Sequence, residues 1–380
     1  MINPKDFYNK LIDNEVSFFT GVPDSLLKNF LEQLENKNKN IHLSVGNEGI
    51  AVGLATGHYL SSGKPALVYL QNSGLGNAIN PLNSITNKKV YGIPMILMIG
   101  WRGEIKRKNK QIKDEPQHLY QGKITLKQLK LINIPYKIIS EKTKNFEEII
   151  KSTIKKSIKE SRPVALIIKK NTFKSLIIKK NKKEILNLNS RINIINALLQ
   201  KVSNKTLIIS TTGYTSRELY KLRSLRNENR SKDFLMVGGM GHAVSVAAGI
   251  AKNKTNRKII CIDGDGSLLM HTSGMQNSSL MKNFIHLFIN NGVHESVGGQ
   301  KINSKSLSYK QICKGFGYKN YFRASSLNTF KLAINKALKL KESVFIEVLT
   351  NPGSINNLPR PKENFTQRKF SFQKQLGVKK

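Results

Sequence analysis

Short apolar runs alternate with helix-period stretches along the whole chain, the pattern that α/β proteins with parallel sheets carry. In the first half, His42–Val45, Ala66–Leu70, Pro94–Ile99 and Val164–Ile168 predict strands. Between them Asp24–Leu34 sets Leu26, Leu27, Phe30 and Leu34 on one helical face, and Asn145–Lys159 has the same period. In the second half, strands are expected near Thr206–Ile209, Phe234–Val237, Lys258–Ile262, Ile285–Ile289 and Val344–Val348. Two comparable, mostly parallel sheets flanked by helices are implied. Lys174–Ser190 has a Lys-rich centre and no period long enough for a core element, so it reads as a linker or a solvated edge helix. The expected organisation is a first domain over residues 1–173, a linker over 174–190, a second domain over 191–360 and an irregular basic tail over 361–380.

Composition changes this picture in one respect, charge. The 380 residues, 39% of them hydrophobic, suffice for two cores, but 63 Lys+Arg against 24 Asp+Glu give a net charge of +39. A polyanion-binding protein is therefore the first function to weigh. Of the basic residues 51 are Lys and 12 are Arg, and Arg is the usual choice for phosphate and base recognition. Residues 1–100 carry a net charge of +1, whereas residues 142–183 carry +11. The excess thus gathers where the sequence has least chemistry to show, which favours a solvated surface over a nucleic-acid or membrane site. Cys261 and Cys313 are too few for a disulfide framework, the start MINPKDFYNK lacks the apolar core of a leader, and the apolar stretch Ile93–Trp101 is short. A soluble cytoplasmic protein is expected.

The richest chemistry lies in Lys258–Gly292. An apolar strand ends in Asp263-Gly264-Asp265-Gly266-Ser267, a helical crossover follows, and a second apolar strand ends in Asn290-Asn291-Gly292. Parallel strands joined in this way set their carboxyl ends side by side, so Asp265 and Asn291 can converge. A carboxylate, an amide oxygen and backbone carbonyls are hard ligands that suit Mg²⁺ or Ca²⁺. Gly264 and Gly266 let backbone approach a phosphate, and Ser267 opens the next helix. A Gly-Asp-Gly turn alone is common, but the Asn pair 26 positions after Asp265 makes it specific.

This pairing resembles the diphosphate-binding motif of thiamine-diphosphate-dependent enzymes. The resemblance implies two domains of thiamine-diphosphate-binding type, with thiamine diphosphate and Mg²⁺ as cofactors. Asp265, Asn291 and the carbonyl of Val293 would be the metal ligands. It also implies a catalytic Glu in the other domain. Glu48 stands where a strand ends and an apolar helical stretch begins, and residues 49–100 contain no other acid. By itself Glu48 also reads as a helix N-terminal acid favoured by the dipole. By the resemblance it would hydrogen-bond N1′ of the aminopyrimidine and promote formation of the ylid. In Gly238-Gly239-Met240-Gly241, Met240 would prop the bent cofactor, with Gly238 beside it.

Longer stretches, GVPDSLL from Gly21, NSGLGN from Asn72, GWRGE from Gly100, DEPQH from Asp114 and NNGVHESVGGQ from Asn290, resemble the phosphonopyruvate and sulfopyruvate decarboxylase branch of this family. That branch implies decarboxylation of a 2-oxo acid carrying a second anionic group. Asp24 and His118 are the candidate proton donors and acceptors, though Asp24 also reads as a helix N-cap. Arg102, Ser296 and Gln300 are candidates for the anionic group. His58, His242, His271, His286 and His294 show no metal-ligand spacing. The family further implies a homodimer or larger assembly with active sites between subunits. An enzyme that condenses its intermediate with an acceptor, and a polyanion binder working through residues 142–183, remain as alternatives.

Overall fold

A computed structural model describes residues 1–35, 37, 40–106, 110–175, 189–302, 304–355, 357–361 and 364–378. The chain divides into two compact units, Met1–Asn181 with Val297–Lys301, and Lys182–Ser296 with Ile302–Lys380. Most of the expected linker, residues 176–188, lies outside the described residues.

The first unit is built on six strands, β1 (Phe18–Gly21), β2 (His42–Ser44), β3 (Ala66–Gln71), β4 (Met95–Gly100), β5 (Tyr136–Ile139) and β6 (Pro163–Ile168). Their order is β2-β1-β3-β4-β6-β5, and every pairing is parallel. Strand β4, MILMIG, is buried throughout. Its side chains alternate: Ile96 and Met98 join the core on one face, and Met95, Leu97 and Ile99 the core on the other. A continuous apolar strand is what a sheet covered on both faces demands.

The second unit repeats this design with β7 (Leu207–Ser210), β8 (Asp233–Leu235), β9 (Ile259–Gly264), β10 (Phe284–Asn290), β13 (Asn320–Ala324) and β14 (Val344–Leu349). The order is β13-β14-β10-β9-β7-β8, again all parallel. Two-residue strands β11 (Val293–His294) and β12 (Gln300–Lys301) lie in the segment after β10. On β9 and β10, Ile260, Ile262, Ile285, Leu287 and Ile289 face one core, and Ile259, Cys261, Phe284 and Phe288 the other. Both cysteines are buried and free.

In each sheet neighbouring strands send their connections in opposite directions at one central place, between β1 and β3 and between β7 and β9. The carboxyl ends of strands at such a reversal form a crevice, the usual ligand site of an open parallel sheet.

Two expectations are corrected. Asp24–Leu34 is not one helix: only Lys28–Leu31 is helical, and turns lie on either side. After Leu34 the run ENKNKN over residues 35–40 offers no further apolar side chain to bury, so the short helix Lys28–Leu31 is not extended into a longer one. Nor is the tail irregular throughout. Phe365–Gln375 forms a helix, N-capped by Asn364, that buries Phe372 against Phe234 with ring centroids 5.4 Å apart.

The Lys-rich helix Phe146–Lys159 buries Ile150, Thr153, Ile154 and Ser157, while Lys151, Lys155, Lys156 and Lys159 are exposed. That is the ordinary division of an amphipathic surface helix. Among the described residues no helix is long and apolar enough to cross a membrane.

Candidate active site

In the first unit the candidate residues gather at the carboxyl ends of β1, β2, β3 and β4. Glu48 is the first residue of the helix Glu48–Ser62, whose N-cap Asn47 accepts from the Gly49 N–H at 2.7 Å. The Glu48 side chain is buried at 4% exposure. Its Oε2 accepts from Asn77 Nδ2 at 2.7 Å, and its Oε1 lies where a Cβ on Gly74 would stand. Burial raises its pKa, opposed by the Asn77 bond. A carboxyl held this way keeps its proton to a higher pH than an exposed one. Because Gly74 makes room for that oxygen, Gly74→Ala is expected to shift the carboxyl and lower kcat by about 10²-fold. Substrate KM should change much less, and steady-state kinetics separates the two.

Asp24 follows β1 and is wholly enclosed. Its Oδ2 accepts from the Leu26 N–H at 3.0 Å, an Asx-type turn, and its Oδ1 has no partner among the described residues. Gly100, the last residue of β4, leaves the space that Oδ2 fills. Burial pushes the Asp24 pKa up to about 6, while the Arg102 charge and the nearby N–H groups pull the other way.

Arg102 donates to Asp114 through Nε at 2.9 Å and Nη2 at 2.6 Å. Its Nη1 reaches Ser25 Oγ at 3.4 Å. Burial works against the Asp114 carboxylate, but the Arg102 bonds outweigh it and hold Asp114 well below the usual range. The charge of His118, in the first turn of the helix Pro116–Leu131, acts on the same carboxylate. Asn72 joins this cluster to the end of β3, donating to the Arg102 carbonyl at 3.0 Å and to Thr125 at 2.9 Å. Asp24, Arg102, Asp114 and His118 are thus linked as neighbours.

In the second unit a cavity opens at the carboxyl ends of β7, β9 and β10. Its lining includes Thr211, Met240, Asp265, Asn291, Val293 and Ser296. Gly264, Gly266 and Ser267 also line it, but Gly238 does not. Asp265 accepts from the Gly266 N–H at 2.9 Å and from the Gly292 N–H at 2.6 Å, so the GDG turn and the Asn turn are tied together. Burial raises the Asp265 pKa to about 6 against those two bonds. The Asn291 amide donates to Glu295 at 3.0 Å, and its Oδ1 accepts from the Val293 N–H at 3.1 Å. Ser267 braces the floor: its hydroxyl accepts from Thr211 at 2.9 Å and from the Gly241 N–H at 3.1 Å. The helix it belongs to, Asp265–Met270, is only six residues long. Gln300, which belongs to the first unit and does not line this cavity, is buried at 4% exposure, and among the described residues neither of its amide atoms has a partner.

Several residues that shape this cavity carry no local signal. Arg191 makes two bonds to Glu218, at 2.8 and 2.9 Å, and pairs also with Glu295. Glu295 in turn accepts from Asn291 and from the Gly353 N–H. His294 is almost fully buried, and burial lowers its pKa to about 4, so its ring is neutral. Thr211-Thr212-Gly213 could have been found, since a small polar turn after an apolar strand obeys the rule that exposed GDG.

Two parallel open sheets, each with an acid at its topological switch point, define a two-domain enzyme, and similarity gives its class. Residues 5–129 match the thiamine pyrophosphate enzyme, N-terminal TPP binding domain. Residues 211–348 match the thiamine pyrophosphate enzyme, C-terminal TPP binding domain. The chain belongs to the thiamine pyrophosphate enzymes, and its cofactor is thiamine diphosphate.

Within that family it is 29% identical over 378 residues to phosphonopyruvate decarboxylase of Streptomyces viridochromogenes, covering 95% of this chain and 92% of that one. It is 37% identical to sulfopyruvate decarboxylase subunit alpha of Methanococcus maripaludis, over 42% of this chain and 90% of that subunit. To sulfopyruvate decarboxylase subunit beta of Methanocaldococcus jannaschii it is 34% identical, over 43% of this chain and 84% of that subunit.

The residues present fit the cofactor. Asp265 and Asn291 bring hard oxygens to one cavity, as a Mg²⁺-diphosphate requires. The neutral ring of His294 and the glycine-bounded turn complete a wall suited to close approach.

Proposed function

We propose that the protein decarboxylates phosphonopyruvate to phosphonoacetaldehyde and CO₂ in the cytoplasm, as a step of phosphonate biosynthesis. The observation that carries this reading is the similarity to phosphonopyruvate decarboxylase along nearly the full length of both chains. The site supports it with an enclosed acid, Glu48, in one unit and an oxygen-lined cavity in the other. Thiamine diphosphate, when bound, supplies the electron sink that makes loss of CO₂ feasible.

The chain's own residues do the rest. Asp265, Asn291 and the Val293 carbonyl would hold Mg²⁺, and Gly264, Gly266 and Ser267 would shape the turn that receives the diphosphate. Met240, which lines the cavity, would support the cofactor, with Gly238 beside it in the same loop. Glu48 holds a proton at N1′ of the pyrimidine. Asp24 and His118 move protons at the substrate's carbonyl oxygen and at the carbon that loses CO₂. Arg102, through Nη1, holds the phosphonate with Ser296 and Gln300, its other guanidinium nitrogens being occupied by Asp114.

The assembly is a homodimer or larger, with each site made from the first unit of one subunit and the second unit of another. Ile50 and Leu54, in the helix that begins at Glu48, are exposed apolar residues that such an interface would cover.

Sulfopyruvate is the second substrate to test, because two sulfopyruvate decarboxylase subunits are 34–37% identical to parts of this chain. Purified protein with Mg²⁺ and thiamine diphosphate should release CO₂ from phosphonopyruvate and leave phosphonoacetaldehyde. Faster turnover of sulfopyruvate would reassign the substrate. An acyloin-type product would replace protonation by condensation with an acceptor.

A further inference from the structure

Histidine 294 occupies a position that neither the motif nor the reaction explains. It lines the same cavity as Asp265 and Asn291 and is 6% exposed. Its Nε2 is enclosed without a hydrogen-bond partner, and no bond involves Nδ1 among the described residues. Buried polar atoms are almost always bonded, so an imidazole that makes no bond among the described residues, with its Nε2 enclosed, points to a missing partner.

The ring's orientation says where that partner lies. A Cβ on Gly266 would stand 2.7 Å from Nδ1 and 2.8 Å from Cε1. The Nδ1 edge of the imidazole therefore rests on the middle of the GDG turn, at the cavity wall. The position after Asp265 is glycine because that edge occupies the space of a side chain.

The charges of the cavity sharpen the point. Among the described residues lining it, Arg191 is the only Lys or Arg, and it is spent on Glu218 and Glu295. A diphosphate entering here meets no unpaired guanidinium or ammonium. Apart from the metal, the unspent donors on these lining residues are neutral.

We propose that His294 is a cofactor-binding residue whose Nδ1–H donates a hydrogen bond to a diphosphate oxygen. The inference rests on thiamine diphosphate as cofactor and not on the identity of the substrate. It also gives the residue after Val293 a use distinct from metal ligation: the segment Asn291–His294 then contacts the metal and the diphosphate from consecutive positions.

The test is isothermal titration of the full-length apoprotein, with Mg²⁺ saturating, by thiamine diphosphate and separately by inorganic pyrophosphate. His294→Phe keeps a planar ring against Gly266 but no N–H. His294→Asn places an amide near the Nδ1 position, and His294→Gln places one near Nε2. The Phe variant should bind both ligands about 10- to 100-fold more weakly, a charge-assisted hydrogen bond having been removed. The Asn variant should stay within about threefold of wild type, and the Gln variant should resemble Phe. The melting temperature of each apoprotein serves as the readout of a merely structural role. Wild-type affinity in His294→Phe overturns the proposal. So does equal weakening by Asn and Gln, a contrast that stands even if the Phe variant does not fold. Absence of thiamine diphosphate binding by the wild type overturns the cofactor assignment itself.

Discussion

Glu48→Gln is expected to lower kcat by about 10³-fold while thiamine diphosphate and Mg²⁺ still bind to the other unit's cavity. The substitution isolates the proton. Gln keeps the length of the side chain, can still accept from Asn77, and fits the space left by Gly74. It loses only the capacity to hold and release a proton at the pyrimidine nitrogen. Glu48→Ala would confuse this result by stranding the Asn77 amide at a buried position. Because burial raises the Glu48 pKa, the Gln protein should melt no lower than wild type at neutral pH, so lost turnover cannot be ascribed to unfolding. The composite site adds a second readout. Mixing Glu48→Gln chains with Asp265→Asn chains should recover part of the activity that neither has alone, because some sites in the mixed oligomer carry both intact residues. No recovery, with exchange of subunits verified, would place both halves of each site in one chain. Wild-type turnover in Glu48→Gln would remove the mechanism altogether.

Those residues were legible because their signals are local. An apolar strand ending in GDG, and another ending in NN, report their own place at the carboxyl edge of a sheet. Glu48 stood out as the last acid before a long stretch without one. The central strands were equally plain, since burial on both faces writes a continuous apolar run, as in β4 and β9. Two of the four edge strands, β5 and β13, were not. In β5, Lys137 and Ile138 are exposed, and β13 is only partly buried until Ala324, so neither reads as a core strand. The one-sided pattern over Asp24–Leu34 suggested a helix because a series of turns buries Leu27, Phe30, Leu31 and Leu34 just as a helix would. The cavity's supports were hidden for a different reason. Arg191, Glu218 and Glu295 are distant in sequence, and their pairing exists only once the chain folds. His294 was one of seven histidines, and nothing in its spacing announces that its Nε2 is buried and idle. The charge excess lies on the surface, as its distribution along the chain suggested. The Lys-rich helix Phe146–Lys159 is a wet surface, while the candidate chemistry sits among enclosed acids.

Asp24→Asn should stabilise the protein at neutral pH and reduce its turnover at the same time. The wild-type carboxyl is fully enclosed, and its pKa is raised from 3.8 to about 6. A raised folded-state pKa means that the folded protein favours the protonated acid. The associated stability is fully present below the unfolded-state value and is lost as pH rises through about 6. At pH 7 and above, the ionised Asp24 therefore costs about 3 kcal/mol relative to a neutral side chain, the shift being converted at 1.36 kcal/mol per unit. Asn avoids that cost and can keep the turn, because its Oδ1 accepts the Leu26 N–H in place of the carboxylate. The gain in melting temperature should be largest above pH 7, shrink through pH 6 and vanish below about pH 4, where both side chains are neutral. Over the same range kcat should fall by about 10²- to 10³-fold, and any acidic limb near pH 6 in the wild-type profile should disappear. If Asn instead destabilises the protein at neutral pH, the Asp24 charge is a structural partner of Arg102. An enclosed acid kept beside Arg102 against a stability cost, with one oxygen bonded and the other open, makes sense only if that open oxygen meets something during turnover.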